Sequence, residues 1–357
     1  MEPGSRGVSA RRFRVALAEP SPPQQRLLRE LLAPEAGIEL CGVAATALGT
    51  LEVVARQRPE LLLIDGELAL RGSPALLATL RQRQPGLPIL LLCAPSAAGA
   101  AQALAGLRAG AQDYWVRGAG AEHAPPREPA SALLSRLGEV LRACEAPRGA
   151  APAPGSAPRG RAAAPRRVTV VVIAVSTGGP AALAQLVAGF PAALRVPVLI
   201  AQHMPAGFTA RLAESLSRGS KLRALEASDQ QKLEPSRIYV APGDRHLLVE
   251  RRALESQLRL DAGPPENSCR PSADPLFRSA ARAFGSGVLA VVMTGMGRDG
   301  FAGCEAVRAA GGQVLAQDAG SSMVWGMAGA VAQAGLADDV LPLGELAAEI
   351  VRRVAAA

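Results

Sequence analysis

Short unbroken apolar runs, separated by amphipathic stretches, constrain this chain more than any other feature. In its first part RVALA (14–18), LLLID (61–65), PILLLC (88–93) and DYWV (113–116) alternate with QQRLLRELL, LGTLEVVARQ, PALLATLRQR and AQALAGLRAG. A strand that is apolar at every position has to be covered on both faces, and helices with one apolar stripe can cover it. That combination predicts a parallel sheet between two helical layers. The pattern closes with ASALLSRLGEVLRACE, where Leu133, Leu134, Leu137, Val140 and Leu141 fall on one helical face. From residue 168 the alternation resumes with VTVVVIA, PAALAQLVAGF, VPVLIAQ and FTARLAESLSR. RIYVAP, HLLVE and QLRLDAG then read as short antiparallel strands, and two further β-α units finish the chain. The expected fold class is α/β, with two doubly wound parallel-sheet domains, the second carrying a hairpin-rich excursion.

Residues 146–167, APRGAAPAPGSAPRGRAAAPRR, have no periodic apolar positions and are expected to form a linker between domains at 13–145 and 168–353. With 357 residues and 49% hydrophobic content, each domain can bury a core of its own. The net charge of +8 would suggest a nucleic-acid partner if it were spread over a folded surface. Instead Arg6, Arg11, Arg12 and Arg14 against Glu2 contribute +3, and Arg148, Arg159, Arg161, Arg166 and Arg167 contribute +5, which leaves the rest neutral. An aromatic content of 3% also supplies no stacking platform, so no nucleic-acid partner is expected. The five cysteines, Cys41, Cys93, Cys144, Cys269 and Cys304, include no C-x-x-C pair and read as reduced thiols. No apolar run approaches the ~18 residues of a membrane span and the first residues lack an apolar signal region, so a cytoplasmic protein without membrane insertion is expected.

In an open α/β sheet, functional groups collect just beyond the carboxyl ends of the strands. Applied to residues 168–353, that filter selects Ser176 in VVVIAVSTGGP, His203 in VPVLIAQHMP and Asp299 in VVMTGMGRDG. A hydroxyl, an imidazole and a carboxylate are the components of a nucleophilic triad. Each also has a plainer reading. The hydroxyls of Ser176 and Thr177 could cap the helix that Pro180 opens, His203 could be structural, and Asp299 could cap the helix after Gly300. The Asp299 loop has a rival reading as well. Gly295, Gly297 and Gly300 show the G-x-G-x-x-G spacing between a strand-like and a helical segment, and Asp318 closes the next strand. That is a dinucleotide fingerprint, implying NAD or NADP, and it leaves Ser176 and His203 without a role.

The runs AVSTGGPAAL, AQHMPAGFTARLAE, IYVAPGDRHLLV, NSCRPSADPLFRSAA, MTGMGRDGFAG and AQDAGSSMVWGM, in that order over residues 168–353, resemble the catalytic domain of CheB-type protein-glutamate methylesterases. The resemblance implies Ser176, His203 and Asp299 as the triad, Thr177 and Met296 at the anion-stabilising site, and catalysis without a cofactor. It implies methyl-accepting chemotaxis proteins as substrates, through hydrolysis of glutamyl methyl esters and deamidation of glutamines. Ser268 and Cys269 depart from the pattern in NSCRPS. Residues 13–145 resemble a receiver domain, which implies Asp65 as phospho-acceptor, Mg²⁺ held by an acidic pair, and a chemotaxis histidine kinase as partner. Here the pair is Glu19 and Pro20, the switch hydroxyl position is Cys93, and the lysine-proline is Arg117 and Gly118. Mg²⁺ prefers several hard oxygen ligands and Pro20 offers none, so a receiver fold kept as an interaction module stands as the alternative. A signalling module with a catalytically inactive second domain remains the other alternative to the esterase.

Overall fold

Five parallel strands form the first sheet of the computed structural model: β1 (Phe13–Ala18), β2 (Ile38–Ala44), β3 (Leu61–Asp65), β4 (Ile89–Cys93) and β5 (Asp113–Val116). Their order, β2-β1-β3-β4-β5, is that of flavodoxin-like doubly wound folds. The structure describes residues 12–117 except 36 and 72–74, part of 133–141, and 167–355 except 253 and 254. Most of the basic amino-terminal stretch and residues 146–166 of the expected linker lie outside these. The chain divides into two units, Met1–Glu145 and Ala146–Ala357.

The central strands of the first unit are apolar at every position because helices cover both faces. Leu61, Leu63, Leu90 and Leu92 pack on one side against Leu28, Leu32, Leu133, Leu137 and Val140. Complete burial of such a side chain contributes about 1.5–3 kcal/mol. Strand β2 has no counterpart among the strands read from the sequence. It is an edge strand, IELCGVA, and most of its residues are only half-buried, so it lacks the apolar signature of its neighbours.

The second unit holds a seven-stranded parallel sheet in the order β14-β13-β12-β6-β7-β9-β8. Its members are β6 (Val170–Val175), β7 (Val198–Gln202), β8 (Arg223–Glu226), β9 (Arg237–Val240), β12 (Val288–Val292), β13 (Gln313–Gln317) and β14 (Asp339–Leu341). Among the described strands, β10 (His246–Arg252) and β11 (Glu255–Asp261) are the antiparallel pair, joined as one hairpin. RIYV, expected as part of an antiparallel group, instead pairs parallel with both β7 and β8 as β9. Burial explains the correction: Ile238, Tyr239 and Val240 are fully buried, as an inner strand of a covered sheet requires. The exposed edge strand β14 adds a third closing β-α unit where two were expected.

Strand β6 sits between β7 and β12, and the chain leaves it toward β7 while β12 and β13 extend the other side. This reversal of winding direction opens the crevice where doubly wound folds place ligands. The loops after β6, β7 and β12 carry Ser176, His203 and Asp299.

Candidate active site

Asp299 is almost fully enclosed, 1% exposed. Its carboxylate sits on the amino terminus of a helix, Ala273–Phe284, from another part of the chain. One oxygen accepts from the Ser272 hydroxyl at 2.6 Å, Asn267 Nδ2 at 2.9 Å and the Gly300 N–H at 3.0 Å. The other accepts from the Ala273 N–H at 2.7 Å and faces His203 Nε2 at 2.6 Å. A helix start offers free N–H groups and a positive dipole end, so a carboxylate there stays ionised despite burial. Burial alone would raise the Asp299 carboxyl. The His203 ring, Ser272 and Ala273 outweigh it and hold the group below the usual carboxylate range. Asp299 does not cap its own following helix, Phe301–Ala309, whose N-cap is Gly300 in the left-handed conformation.

The segment that supplies these donors is a tight turn. Glu266 and Cys269 exchange N–H···O bonds of 3.2 and 2.9 Å across Asn267 and Ser268, whose φ values are 52° and 61°. Two successive left-handed residues are the signature of a type I′ turn, and Asn is among the few non-glycine residues that tolerate it. The turn places Asn267 Nδ2 between Asp299 and Asp274, 2.8 Å from the latter. It also brings Cys269 Sγ to 3.4 Å from His203 Nδ1. The imidazole is therefore held at Nε2 by a carboxylate and presents Nδ1 to the side where the thiol lies. Burial would depress the imidazole, but Asp299 and then Cys269 outweigh it and hold it above its ordinary value.

Ser176 follows β6 directly, and register places it beside His203, since β6 and β7 pair to their last residues, Val175 with Gln202. Its N–H donates to Thr294 O at 3.0 Å, and its carbonyl accepts from Gln202 Nε2 at 3.0 Å and from the Gly179 N–H at 2.8 Å. The next helix, Gly179–Ala188, takes Gly178 as N-cap without any side-chain cap, so the Ser176 and Thr177 hydroxyls do not serve as helix caps. Among the described residues the Ser176 hydroxyl has no hydrogen-bond partner, His203 included, and the Thr177 and Met296 N–H groups have no acceptor. Thr177 is buried and Met296 is 37% exposed.

Within the β12 loop Gly295 has a steric task, while Gly297 takes a left-handed conformation with φ 79°. A Cβ on Gly295 would stand 2.8 Å from Ser176 Cβ and 2.4 Å from Met327 Sδ, so this backbone must be bare for Ser176 to fit. Asp318 is occupied by a local turn, accepting from the Ser321 N–H at 2.9 Å and its hydroxyl at 2.6 Å. The dinucleotide spacing is thus met by residues that serve a serine loop and a turn. Sequence reading missed Asn267, Ser272 and the Ala273 N–H as holders of Asp299. The available signal was Ser272 ahead of the helical run ADPLFRSAARAF, a start motif whose free N–H groups could receive a distant anion.

In the first unit Asp65 ends β3 and caps the helix Gly66–Leu70, accepting from the Leu68 N–H at 2.8 Å. Glu19 follows β1, 2% exposed, and accepts from the Ser21 N–H at 2.9 Å. Arg117, after β5, donates to Glu19 at 2.8 Å and also pairs with Asp65. Burial pushes the Glu19 carboxyl up, against the pull of the guanidinium. Cys93 is fully buried, and burial raises its thiol to about 12.

A hydroxyl, an imidazole and a buried carboxylate gathered at the switch point of a parallel sheet mark a hydrolytic enzyme of the α/β class. A family model described as CheB methylesterase matches residues 171–350. A protein-glutamate methylesterase/protein-glutamine glutaminase of Trichodesmium erythraeum (strain IMS101) is 38% identical over 349 residues, covering 96% of this chain and 99% of that relative. A second such protein, from Caulobacter vibrioides, is 41% identical over 326 residues, covering 89% and 92%. The crystal structure of the Thermotoga maritima CheB methylesterase catalytic domain aligns with a TM-score of 0.51 and 37% identity, over 52% of this chain and 98% of that one. The chain belongs to the CheB methylesterase family and is an ester hydrolase. No described helix is long and apolar enough to cross a membrane.

Proposed function

We propose that this enzyme hydrolyses γ-methyl esters of glutamyl side chains on chemoreceptors, and deamidates receptor glutamines at the same site, in chemotaxis adaptation. The observation that carries the reading is the buried Asp299 carboxylate, ringed by neutral donors and 2.6 Å from His203 Nε2. The curated relatives, named for both activities, support the substrate class.

In this reading His203 Nδ1 exchanges its thiol contact for the Ser176 hydroxyl and takes its proton. The freed Ser176 oxygen attacks the γ-carbonyl carbon, and the carbonyl oxygen becomes an anion received by the Thr177 and Met296 N–H groups. Each such donor is worth about 3 kcal/mol in related acyl transfers. Asp299 stabilises the imidazolium, which returns its proton to the leaving oxygen as methanol departs. With a glutamine the leaving group is ammonia. Water, deprotonated by His203, then attacks the acyl carbon, and the imidazolium returns that proton to the Ser176 oxygen as the glutamate is released. All of these steps use the chain's own residues, and no cofactor enters them.

Replacing Ser176 with Ala is expected to lower methanol release from methylated receptor by at least about a thousandfold. Release at the unsubstituted rate would end the assignment. Receptors in vesicles are the appropriate substrate, and comparing methanol with ammonia release separates the two activities.

A further inference from the structure

Arg117 does something in the first unit that ester hydrolysis does not call upon. Its guanidinium spans Glu19 and Asp65, which project from the ends of the adjacent strands β1 and β3. Nη1 donates to Glu19 at 2.8 Å, while Nη2 pairs with Asp65 and also donates to Leu92 O at 2.9 Å. The Glu19, Asp65 and Arg117 side chains are 2%, 14% and 15% exposed, so solvent screens these charges little. The remaining oxygens are engaged as well, Glu19 by the Ser21 N–H at 2.9 Å and Asp65 by the Leu68 N–H at 2.8 Å.

A Mg²⁺ ion demands near-octahedral oxygen ligation and tolerates little distortion. Here two carboxylates converge, Pro20 brings no side-chain ligand, and every carboxylate oxygen already has a donor. Among the described residues no group of three or more His, Cys, Asp or Glu side chains is placed to hold a metal ion. A divalent ion would also stand next to a guanidinium that cannot lose its proton. The residues present do not fit Mg²⁺. Without a mobile cation, a phosphoryl group arriving at Asp65 would meet a carboxylate whose oxygens are both engaged and whose charge is already paired.

We propose that Arg117 is the resident cation of this pocket, a tethered guanidinium that neutralises Glu19 and Asp65, so that the first unit holds one charge state with neither a divalent ion nor a phosphoryl group. Lysine would do this less well, because its compact, strongly hydrated ammonium lacks the planar, fixed fork with which the guanidinium meets two carboxylates and Leu92 O together.

Thermal unfolding of the full chain tests this. Of the two tryptophans, Trp115 is fully buried in β5 of the first unit, so in a Trp325→Phe background fluorescence follows that unit alone. The expected midpoint with MgCl₂ equals that in NaCl of matched ionic strength, and acetyl phosphate leaves no label on Asp65. With Arg117→Ala the midpoint is expected to fall and then to rise with MgCl₂, since a ligand that binds only the folded pocket stabilises it. If Arg117→Ala does not fold, Arg117→Lys carries the same expectation. A midpoint of the Arg117-containing protein that rises with MgCl₂, a label lost on Asp65→Ala, or an Arg117 variant indifferent to MgCl₂ would each overturn the proposal.

Discussion

Asp299 and Asp65 occupy equivalent places in their sheets, just beyond the carboxyl end of a parallel strand, yet their neighbours treat them oppositely. Asp299 is held by the Ser272 hydroxyl, the Asn267 amide and backbone N–H groups, all neutral donors. These stabilise a negative charge without cancelling it, so its full field falls on His203. Asp65 is bound by a guanidinium, which cancels the charge where it stands. A carboxylate caged by dipoles remains available to polarise a partner. One paired with a fixed cation is quenched.

Removing the charge while keeping the shape breaks the contrast most sharply. Asp299→Asn is expected to lower the rate of ester cleavage by about 10⁴, the loss seen when a triad carboxylate becomes an amide. Near-unchanged methanol release would show that the caged charge is idle. The next largest effect is expected from Gly295→Ala, whose methyl group would press on Ser176 and Met327. Displacing a nucleophile by a fraction of an ångström to an ångström costs about a hundredfold. Because the His203–Asp299 pair does not touch this glycine, the loss should appear in kcat while the pH profile keeps its position.

The cage itself can be thinned. Ser272→Ala removes one donor to a buried charged acceptor and is expected to lower unfolding stability by about 1.5–3 kcal/mol. Asp299's carboxyl is depressed in the folded state, so its contribution is present above the ordinary carboxylate value of 3.8 and is lost as pH falls through the lower folded value. The deficit of Ser272→Ala should therefore be visible at neutral pH and shrink in acid, as denaturant melts at several pH values would show.

The smallest expected effect concerns Cys269. His203 is raised above its ordinary 6.5, and it acts as a base only when neutral, so ester cleavage should climb as pH rises through its folded value. Cys269 contributes to that elevation. Cys269→Ala is expected to move the limb to lower pH by a few tenths of a unit to about one unit, and to leave the alkaline plateau in place. A limb that stays put would show that the thiol does not act on the imidazole. The His203 share of stability runs the other way in pH from that of Asp299: it is complete below 6.5 and lost as pH rises through the raised value.

Much of this architecture was legible because burial leaves a local trace. VVVIAV and LLLI are apolar at every position only if both faces are covered, and the polar residue that follows such a run stands at the rim of the sheet. That sufficed to select Ser176, His203 and Asp299, whereas Asp65 was singled out by the resemblance to a receiver domain. Where burial is partial the trace fades, which hid β2 and β14. The RIYV segment shows a different limit: alternation and length describe a strand, but parallel or antiparallel pairing depends on what lies beside it.

By itself, then, the sequence determined two parallel α/β sheets and a short set of strand-end side chains, since both follow from the burial of each segment. Only the tertiary structure decided their partners. The His203–Asp299 bond joins residues 96 positions apart, Arg117 reaches Asp65 over 52 and Glu19 over 98, and the helix whose start cages Asp299 begins 26 positions before it. Such contacts arise from winding order and register, which no local pattern encodes. They leave one aspartate in a cage of neutral donors beside an imidazole and the other closed by an arginine.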